Sequence, residues 1–216
     1  MKNAELYIYL LCSVIFFCII QTKRIKEGLE DNNFVILIGD SIFQNKGYVK
    51  DEHSVEHRLK NKINSMVLAK DGSRIIDLFS QYMQIPKELD VSNTYLFISI
   101  GANDLLYEYQ EKGEHIEDLS AFNKIWENYV KVINKIIDRT SCTVVLTDIY
   151  YIYNKNYHRY YNIIDSWNKN LERFCNINDI LLYKISNLVK EKKDFANNIE
   201  PSKFGSEIIV NNILDF

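Results

Sequence analysis

Short apolar runs that alternate with amphipathic stretches are the feature that most constrains how this 216-residue chain can fold. The first run, Phe34-Val35-Ile36-Leu37-Ile38, ends in Gly-Asp-Ser and is typical of a strand buried in a parallel sheet. Four later segments have strand character: Ser65 to Ala69, Tyr95 to Ile100, Thr143 to Thr147 and Ile180 to Ile185. Strands that alternate with helices predict a three-layer α/β/α domain around a five-stranded parallel sheet.

Apolar residues at three- and four-residue steps predict the helices that cover this sheet. Two such series follow the third and fourth strands: Phe122, Trp126, Tyr129, Ile133 and Ile136/Ile137, then Tyr160, Ile164, Trp167, Leu171 and Phe174. A last helix is expected to open with Pro201 and Ser202, since proline favours the first helical position.

An uncharged apolar segment precedes the domain. It runs from Leu6 to Ile20, and its length favours an N-terminal hydrophobic helix that anchors the chain in a membrane. A cleaved signal peptide and a buried core helix are the alternatives. Lys2 is the only basic residue before the run, and no small-x-small cleavage site follows it; both observations argue against a signal peptide.

These patterns divide the chain into a membrane anchor over residues 1–22, a polar linker over 23–33 and a folded domain over 34–216. Lys23, Arg24 and Lys26 follow the apolar run. Because basic residues tend to stay on the cytoplasmic side of a membrane, they favour that face for the domain.

Charge and cysteine content exclude two classes of protein. The net charge is −3 and no basic stripe is present, so nucleic acid is not an expected partner. Cys12 and Cys18 lie in the apolar run, which leaves only Cys142 and Cys175 in the domain. Two cysteines do not make a disulfide framework, and we interpret them as inert thiols.

Residues suited to acyl transfer follow three of the predicted strands. Ligands of such sheets bind outside the carboxyl ends of the strands, where Ser41, Gly72 and Asn103 are expected to lie. Ser41 offers a nucleophilic hydroxyl, Gly72 a backbone N–H and Asn103 a side-chain amide, which are the groups that attack an ester and bind its oxyanion. We therefore expect the three to converge on one cleft.

The same segments resemble the GDSL/SGNH hydrolases. Phe34 to Ser41 (FVILIGDS) is similar to the first block of that family, Gly101 to Asp104 (GAND) to its G-x-N-D block, and Gly72 falls where the family has a glycine. The resemblance covers nearly everything from Phe34 to the C-terminus. It implies a flavodoxin-like fold, with Ser41 as nucleophile and an oxyanion hole formed by Ser41, Gly72 and Asn103.

The last family block departs from the usual Asp-x-x-His-Pro. Here the chain reads Asn-Asn-Ile-Glu-Pro-Ser, which places Glu200 in the histidine position and Asn197 in the aspartate position. It is similar to a branch whose block reads I-E-P-S. Glu200 is interpreted as the general base or as a group that caps or electrostatically complements the last helix, and the third possibility is that His158 or His115 reaches the site from a loop.

A second motif, His53-Ser54-Val55-Glu56-His57, matches the H-x-x-E-H zinc-peptidase pattern. His57 is expected to point away from the apolar face of its helix, and no third ligand is evident, so no metal site is predicted. Asp40 and Asp104 are interpreted as turn-stabilising residues. Tyr160 is expected in the core, while Tyr150 and Tyr151 are candidates for either the cleft or the core.

The sequence therefore favours an esterase-like serine hydrolase with Ser41 and Glu200 as catalytic residues. Its expected substrate is a small acyl ester, and it needs no cofactor. The alternative is a catalytically silent, membrane-tethered binding module with the same fold. A zinc peptidase is a distant third.

Overall fold

The computed structural model of the protein describes residues 33–111 and 119–216. The predicted anchor and linker fall almost wholly outside these ranges, as does His115. Within the described residues, no helix is both long and apolar enough to span a membrane.

Five strands form one parallel sheet in the described part of the chain. They are β1 (Phe34–Gly39), β2 (Ser65–Val67), β3 (Thr94–Ser99), β4 (Thr143–Thr147) and β5 (Leu181–Tyr183). Their order is β2-β1-β3-β4-β5, the flavodoxin-like order. In the central pair, residue 34 aligns with residue 94 and the register continues to residues 39 and 99.

Helices connect the strands. They are α1 (Val55–Lys60), α2 (Ile75–Tyr82), α3 (Ala102–Leu106), α4 (Leu119–Ile137), α5 (Tyr161–Asn178) and α6 (Lys203–Leu214). A π-helical turn, Tyr107–Glu111, continues α3. The predicted three-layer α/β/α class is confirmed.

The period-two alternation of strand side chains sends each half of the core to a different helical layer. In β1, Ile36 and Ile38 pack with α2, α4 and α5, whereas Val35 and Leu37 pack with α1 and α6. All four side chains are fully buried or nearly so, and burying each stabilises the fold by about 1.5–3 kcal/mol. Both faces of the sheet are covered, which explains the continuous apolar runs.

The outer strands are shorter than the sequence pattern predicts. The run to Ala69 forms a strand only as far as Val67, and the run from Ile180 to Ile185 only from Leu181 to Tyr183. Both strands lie at edges of the sheet. Apolar residues continue beyond the paired segment because they still pack into the core, as fully buried Ile185 does.

Two glycines permit close approaches at the carboxyl edge of the sheet. Gly39 has φ +127°, and a Cβ there would lie 1.8 Å from the Ser99 carbonyl oxygen. Gly101 has φ +116°, and its Cβ would lie 2.3 Å from the ring of Trp167. Any other residue would push the ends of β1 and β3 apart or lift α3 from the aromatic cluster beneath it.

That aromatic cluster belongs to α4 and α5. Trp167 is fully buried and makes edge contacts with Trp126 and Tyr129 at centroid distances of 5.3 and 5.0 Å. Tyr160, expected in the core, is buried there too. Cys142 and Cys175 are buried free thiols whose pKa burial raises to about 11. These two residues are therefore poor nucleophiles.

Candidate active site

A cavity of about 200 Å³ opens beside the carboxyl ends of β1 and β3. In this fold the connections from those strands diverge there, which is where ligands bind. The polar residues that line it come from separate segments of the chain: Asp40, Ser41, Tyr48, Asp71, Asn103, Tyr150, Tyr160 and Glu200. The rest of the lining is apolar, so the cavity combines a cluster of chemically active groups with an aliphatic wall.

Ser41 lies in the turn that leaves β1, and its side chain is largely buried. The preceding residue stabilises this turn: Asp40 Oδ1 accepts hydrogen bonds from the Ile42 N–H at 3.2 Å and the Ser99 hydroxyl at 3.1 Å. The hydrogen bond to Ser99 thus connects the turn that carries Ser41 to the end of the neighbouring strand β3. The predicted turn-stabilising role of Asp40 is confirmed.

Asp104 has the same kind of role one strand away. Its Oδ2 accepts a hydrogen bond from the Ile75 N–H at 3.0 Å and so joins the start of α3 to the start of α2. Burial raises the pKa of Asp104 to about 6.

Glu200 is presented by a small closed loop. Phe195 and Pro201 form an antiparallel bridge, and the Ala196 N–H donates to the Glu200 carbonyl oxygen at 2.8 Å. Inside this loop, Asn197 Oδ1 accepts hydrogen bonds from the N–H groups of Ile199 and Glu200 at 2.7 and 2.8 Å. Asn197 therefore orients the backbone of Glu200, and the carboxylate is left to face the cavity.

The start of α6 corrects one prediction and removes one reading of Glu200. Ser202 is the N-cap, and its Oγ accepts hydrogen bonds from the N–H groups of Phe204 and Gly205 at 3.1 and 3.3 Å. Pro201 lies before the cap, not at the first helical position, because the bridge to Phe195 holds it in extended backbone. The cap role is filled by Ser202, not by Glu200.

Ser41 and Glu200 line the same cavity, and the Ser41 hydroxyl lies close enough to the Glu200 carboxylate to lower its pKa. Burial raises the pKa of Glu200 to about 7, an effect that the Ser41 hydroxyl opposes and the charge of Asp71 adds to. The second oxygen, Oε2, is buried and has no hydrogen-bond partner among the described residues. A carboxylate with a pKa near neutrality is the kind of group that can accept a proton from a neighbouring hydroxyl.

A second buried carboxyl lies near the first. Asp40 is 1% exposed and burial raises its pKa to about 7, with a further contribution from the charge of Glu200. The charge of Glu200 therefore makes ionisation of Asp40 harder, although burial is the larger cause.

Asn103 lines the same cavity as Ser41 and Glu200. Its Nδ2 donates one hydrogen bond to the Ser73 carbonyl oxygen at 2.9 Å, and an amide nitrogen has a second hydrogen to offer. Gly72 lines an adjoining, more open groove that shares Asn103. The structure therefore brings Ser41, Asn103 and Glu200 to one cavity and Gly72 to its margin.

Two buried amide side chains that the sequence analysis did not single out stabilise the site. Gln81 accepts from the Gly39 N–H at 2.6 Å and donates to the Gly39 carbonyl and the Ser73 hydroxyl at 2.9 and 3.0 Å. Asn45 donates to the Pro201 carbonyl at 3.1 Å. Asn45 thus connects the segment after Ser41 to the Glu200 loop.

Tyrosines at the end of β4 have separate roles. Tyr150 is buried, lines the cavity and donates a hydrogen bond to the Ile199 carbonyl oxygen at 2.7 Å, which supports the Glu200 loop. Tyr151 donates to Asp165 and lines a different groove. Tyr48, which was not singled out, lies in the cavity and donates to Asp71 Oδ2 at 2.8 Å.

The described histidines lie elsewhere. His158 lines the groove of Tyr151, and its ring packs against Tyr161 at 4.7 Å. His57 Nδ1 lies 3.5 Å from Asp51 and His53 Nε2 lies 4.0 Å from Glu52, with both rings partly exposed. No group of three metal-ligating side chains occurs among the residues described here.

Comparison with protein families gives a match to the model of the GDSL-like lipase/acylhydrolase family over residues 35–213. Comparison with curated protein sequences gives no significant match.

Several solved structures share the fold at low sequence identity. A lipolytic G-D-S-L family protein from Veillonella parvula has a TM-score of 0.66 at 15% identity, covering 84% of this chain and 96% of that one. The psychrotrophic esterase EstA from Pseudoalteromonas sp., inhibited by monoethylphosphonate, has 0.60 at 17%, covering 85% and 96%. An acetylxylan esterase from Geobacillus stearothermophilus has 0.59 at 13%, covering 87% and 94%.

Proposed function

The chain belongs to the GDSL-like lipase/acylhydrolase family, and on this premise we propose that it hydrolyses acyl esters through a Ser41 acyl-enzyme. The observation that carries the proposal is that the Ser41 hydroxyl and the buried Glu200 carboxylate line one cavity, with the pKa of Glu200 raised to about 7. The esterases among the structural relatives support the ester class of substrate.

In the proposed first step, Glu200 accepts the hydroxyl proton as Ser41 Oγ attacks the ester carbonyl carbon. The Asn103 amide and the backbone N–H groups of Ser41 and Gly72 stabilise the oxyanion. The intermediate collapses to an acyl-serine, and the alcohol leaves with the proton that Glu200 returns. Water then attacks the acyl carbonyl carbon as Glu200 accepts a proton from it. The bond to Ser41 Oγ breaks, Glu200 returns the proton to Oγ, and the carboxylic acid leaves.

We further propose that residues 1–22 hold this activity at a membrane surface, as their apolar run favours.

A fluorophosphonate probe tests the proposal, because it phosphonylates an activated serine irreversibly. We expect labelling of the wild type and of Ser80→Ala, which alters an exposed serine of α2, but not of Ser41→Ala. A folded wild type that neither reacts nor hydrolyses short esters would refute the proposal. It would favour a silent binding protein with this fold.

A further inference from the structure

The apolar wall of the cavity has no part in the chemistry proposed for Ser41. It is formed by buried side chains from the β4–α5 connection, from α5 and from α3: Ile149, Ile152, Ile163, Ile164, Leu105 and Leu106. The four isoleucines and Leu105 are at most 6% exposed. These six side chains offer no hydrogen bond, although the rings of Tyr150 and Tyr160 also line the cavity. The space in front of the wall therefore suits hydrocarbon better than sugar hydroxyls or water.

The volume of the cavity sets the size of that hydrocarbon. An engineered apolar cavity of about 150 Å³ in another protein stays dry and binds benzene, which has six carbons. At the same volume per carbon, a cavity of about 200 Å³ holds about eight carbons. An acetyl group would leave most of it empty.

The adjoining groove is the better place for the alcohol. It is more open, shares Asn103 with the cavity and includes the polar side chains of Arg74, Tyr107 and Tyr157. In an acyl-enzyme reaction the alcohol must leave and water must enter while the acyl group stays. The more open groove permits this exchange, whereas the less open cavity retains the acyl chain.

From these observations we propose that the cavity beside Ser41 binds an aliphatic acyl chain of about six to eight carbons. The substrates are then medium-chain acyl esters, unlike the substrate named for the acetylxylan esterase of similar fold. The proposal rests on the proposed function, since it places the acyl carbonyl at Ser41.

The chain-length profile is the first test. Full-length protein is assayed with 4-nitrophenyl esters from acetate to dodecanoate, in lipid nanodiscs so that no detergent tail competes for the cavity. We expect kcat/KM to rise about fourfold per methylene, which corresponds to about 0.8 kcal/mol each, and to fall again beyond about eight carbons. A profile that is highest at acetate would overturn the proposal.

Filling the cavity is the second test. Ile164→Phe adds bulk to the wall, so the ratio of kcat/KM for octanoate to that for acetate should fall at least tenfold. Ile177→Phe is the matched control, because it makes the same change on α5 at a side chain that is 75% exposed. The control should keep the wild-type ratio. Equal ratios in both folded variants would contradict the proposed location of the chain.

Binding of octanamide separates this proposal from the proposed function. Octanamide has the same hydrocarbon chain and carbonyl group as an octanoate ester, but an amide is far less reactive than an ester. We expect octanamide, and not acetamide, to raise the melting temperature of both the wild type and Ser41→Ala. Octanamide binding without ester hydrolysis would refute only the catalytic proposal. Hydrolysis of acetate without octanamide binding would refute only the acyl cavity.

Discussion

Replacing Glu200 by glutamine is expected to make the protein more stable and much less active. The folded protein buries this carboxyl and leaves its Oε2 without a partner among the described residues. Glutamine keeps the shape and an oxygen that can accept the Ser41 hydrogen bond, but it has no charge to bury. The same change removes the proton acceptor that the proposed reaction requires.

The size of the stabilisation follows from the pKa of Glu200. In the folded state it is about 7, against an ordinary value of 4.5. At a pH between the two pKa values, Glu200 keeps its proton in the folded state and has lost it in the unfolded state. The stability of the wild type therefore falls as the pH rises through this range. At about 1.4 kcal/mol per pH unit, the penalty reaches about 3 kcal/mol above pH 7. The gain from Glu200→Gln should therefore be near this size at pH 8 and small at pH 4.

Equilibrium urea unfolding of the full-length chain at the two pH values measures this difference. Glu207→Gln is the matched control, because Glu207 lies in α6 and its side chain is 53% exposed. It should change the free energy of unfolding by less than about 0.5 kcal/mol at either pH. The charge of Glu200 also raises the pKa of Asp40. Removing that charge should therefore stabilise the folded protein a little further.

Activity provides the second half of the test. Because only ionised Glu200 accepts a proton, kcat/KM of the wild type should rise with pH to a plateau, with a midpoint near 7. Glu200→Gln should lower kcat/KM about 100-fold or more and abolish its rise with pH. His158→Ala should keep the wild-type kcat/KM and the same rise. A Glu200→Gln variant that is less stable at pH 8 and fully active would refute the reasoning. Loss of activity in His158→Ala would instead indicate His158 as the base.

Three further outcomes are expected. Asn103→Ala should lower kcat for ester hydrolysis about 100-fold to 1,000-fold. Its free energy of unfolding should stay within about 1 kcal/mol of the wild type, the usual contribution of one hydrogen bond. Unchanged turnover would show that the amide is not part of the oxyanion hole. Dialysed protein should contain well below one equivalent of zinc by elemental analysis, and a full equivalent that is lost in His57→Ala would contradict this. The full-length chain should sediment with membranes and require detergent for release, whereas recovery in the soluble fraction without detergent would contradict the predicted anchor.

The sheet was predictable because its information is local. Continuous apolar runs such as Val35 to Ile38 need no knowledge of the rest of the chain to be assigned as buried strands, and strand ends then indicate where Ser41 and Asn103 lie. The limits of short edge strands depend on which neighbours pair with them, so apolar pattern alone overestimated the lengths of β2 and β5.

The environment of Glu200 was not predictable in the same way. Proline next to serine suggested a helix that starts at Pro201, but the bridge to Phe195 and the cap by Ser202 depend on how the segment folds back on itself. Asn45 contacts Pro201 across 156 positions of sequence. A raised pKa likewise comes from burial, which no short motif encodes.

The close packing of Gly101 on Trp167 gives this protein an intrinsic optical probe. The chain has two tryptophans, Trp126 and Trp167, and both belong to the aromatic cluster beneath the start of α3. Its tryptophan fluorescence therefore reports on the packing around Gly101, which lies two residues before Asn103 in the chain. The Trp167 indole is fully buried, and its N–H has no partner among the described residues, so its emission should be blue-shifted. Ligands that displace α3 should change that emission, and stopped-flow fluorescence of the unlabelled protein would follow that displacement.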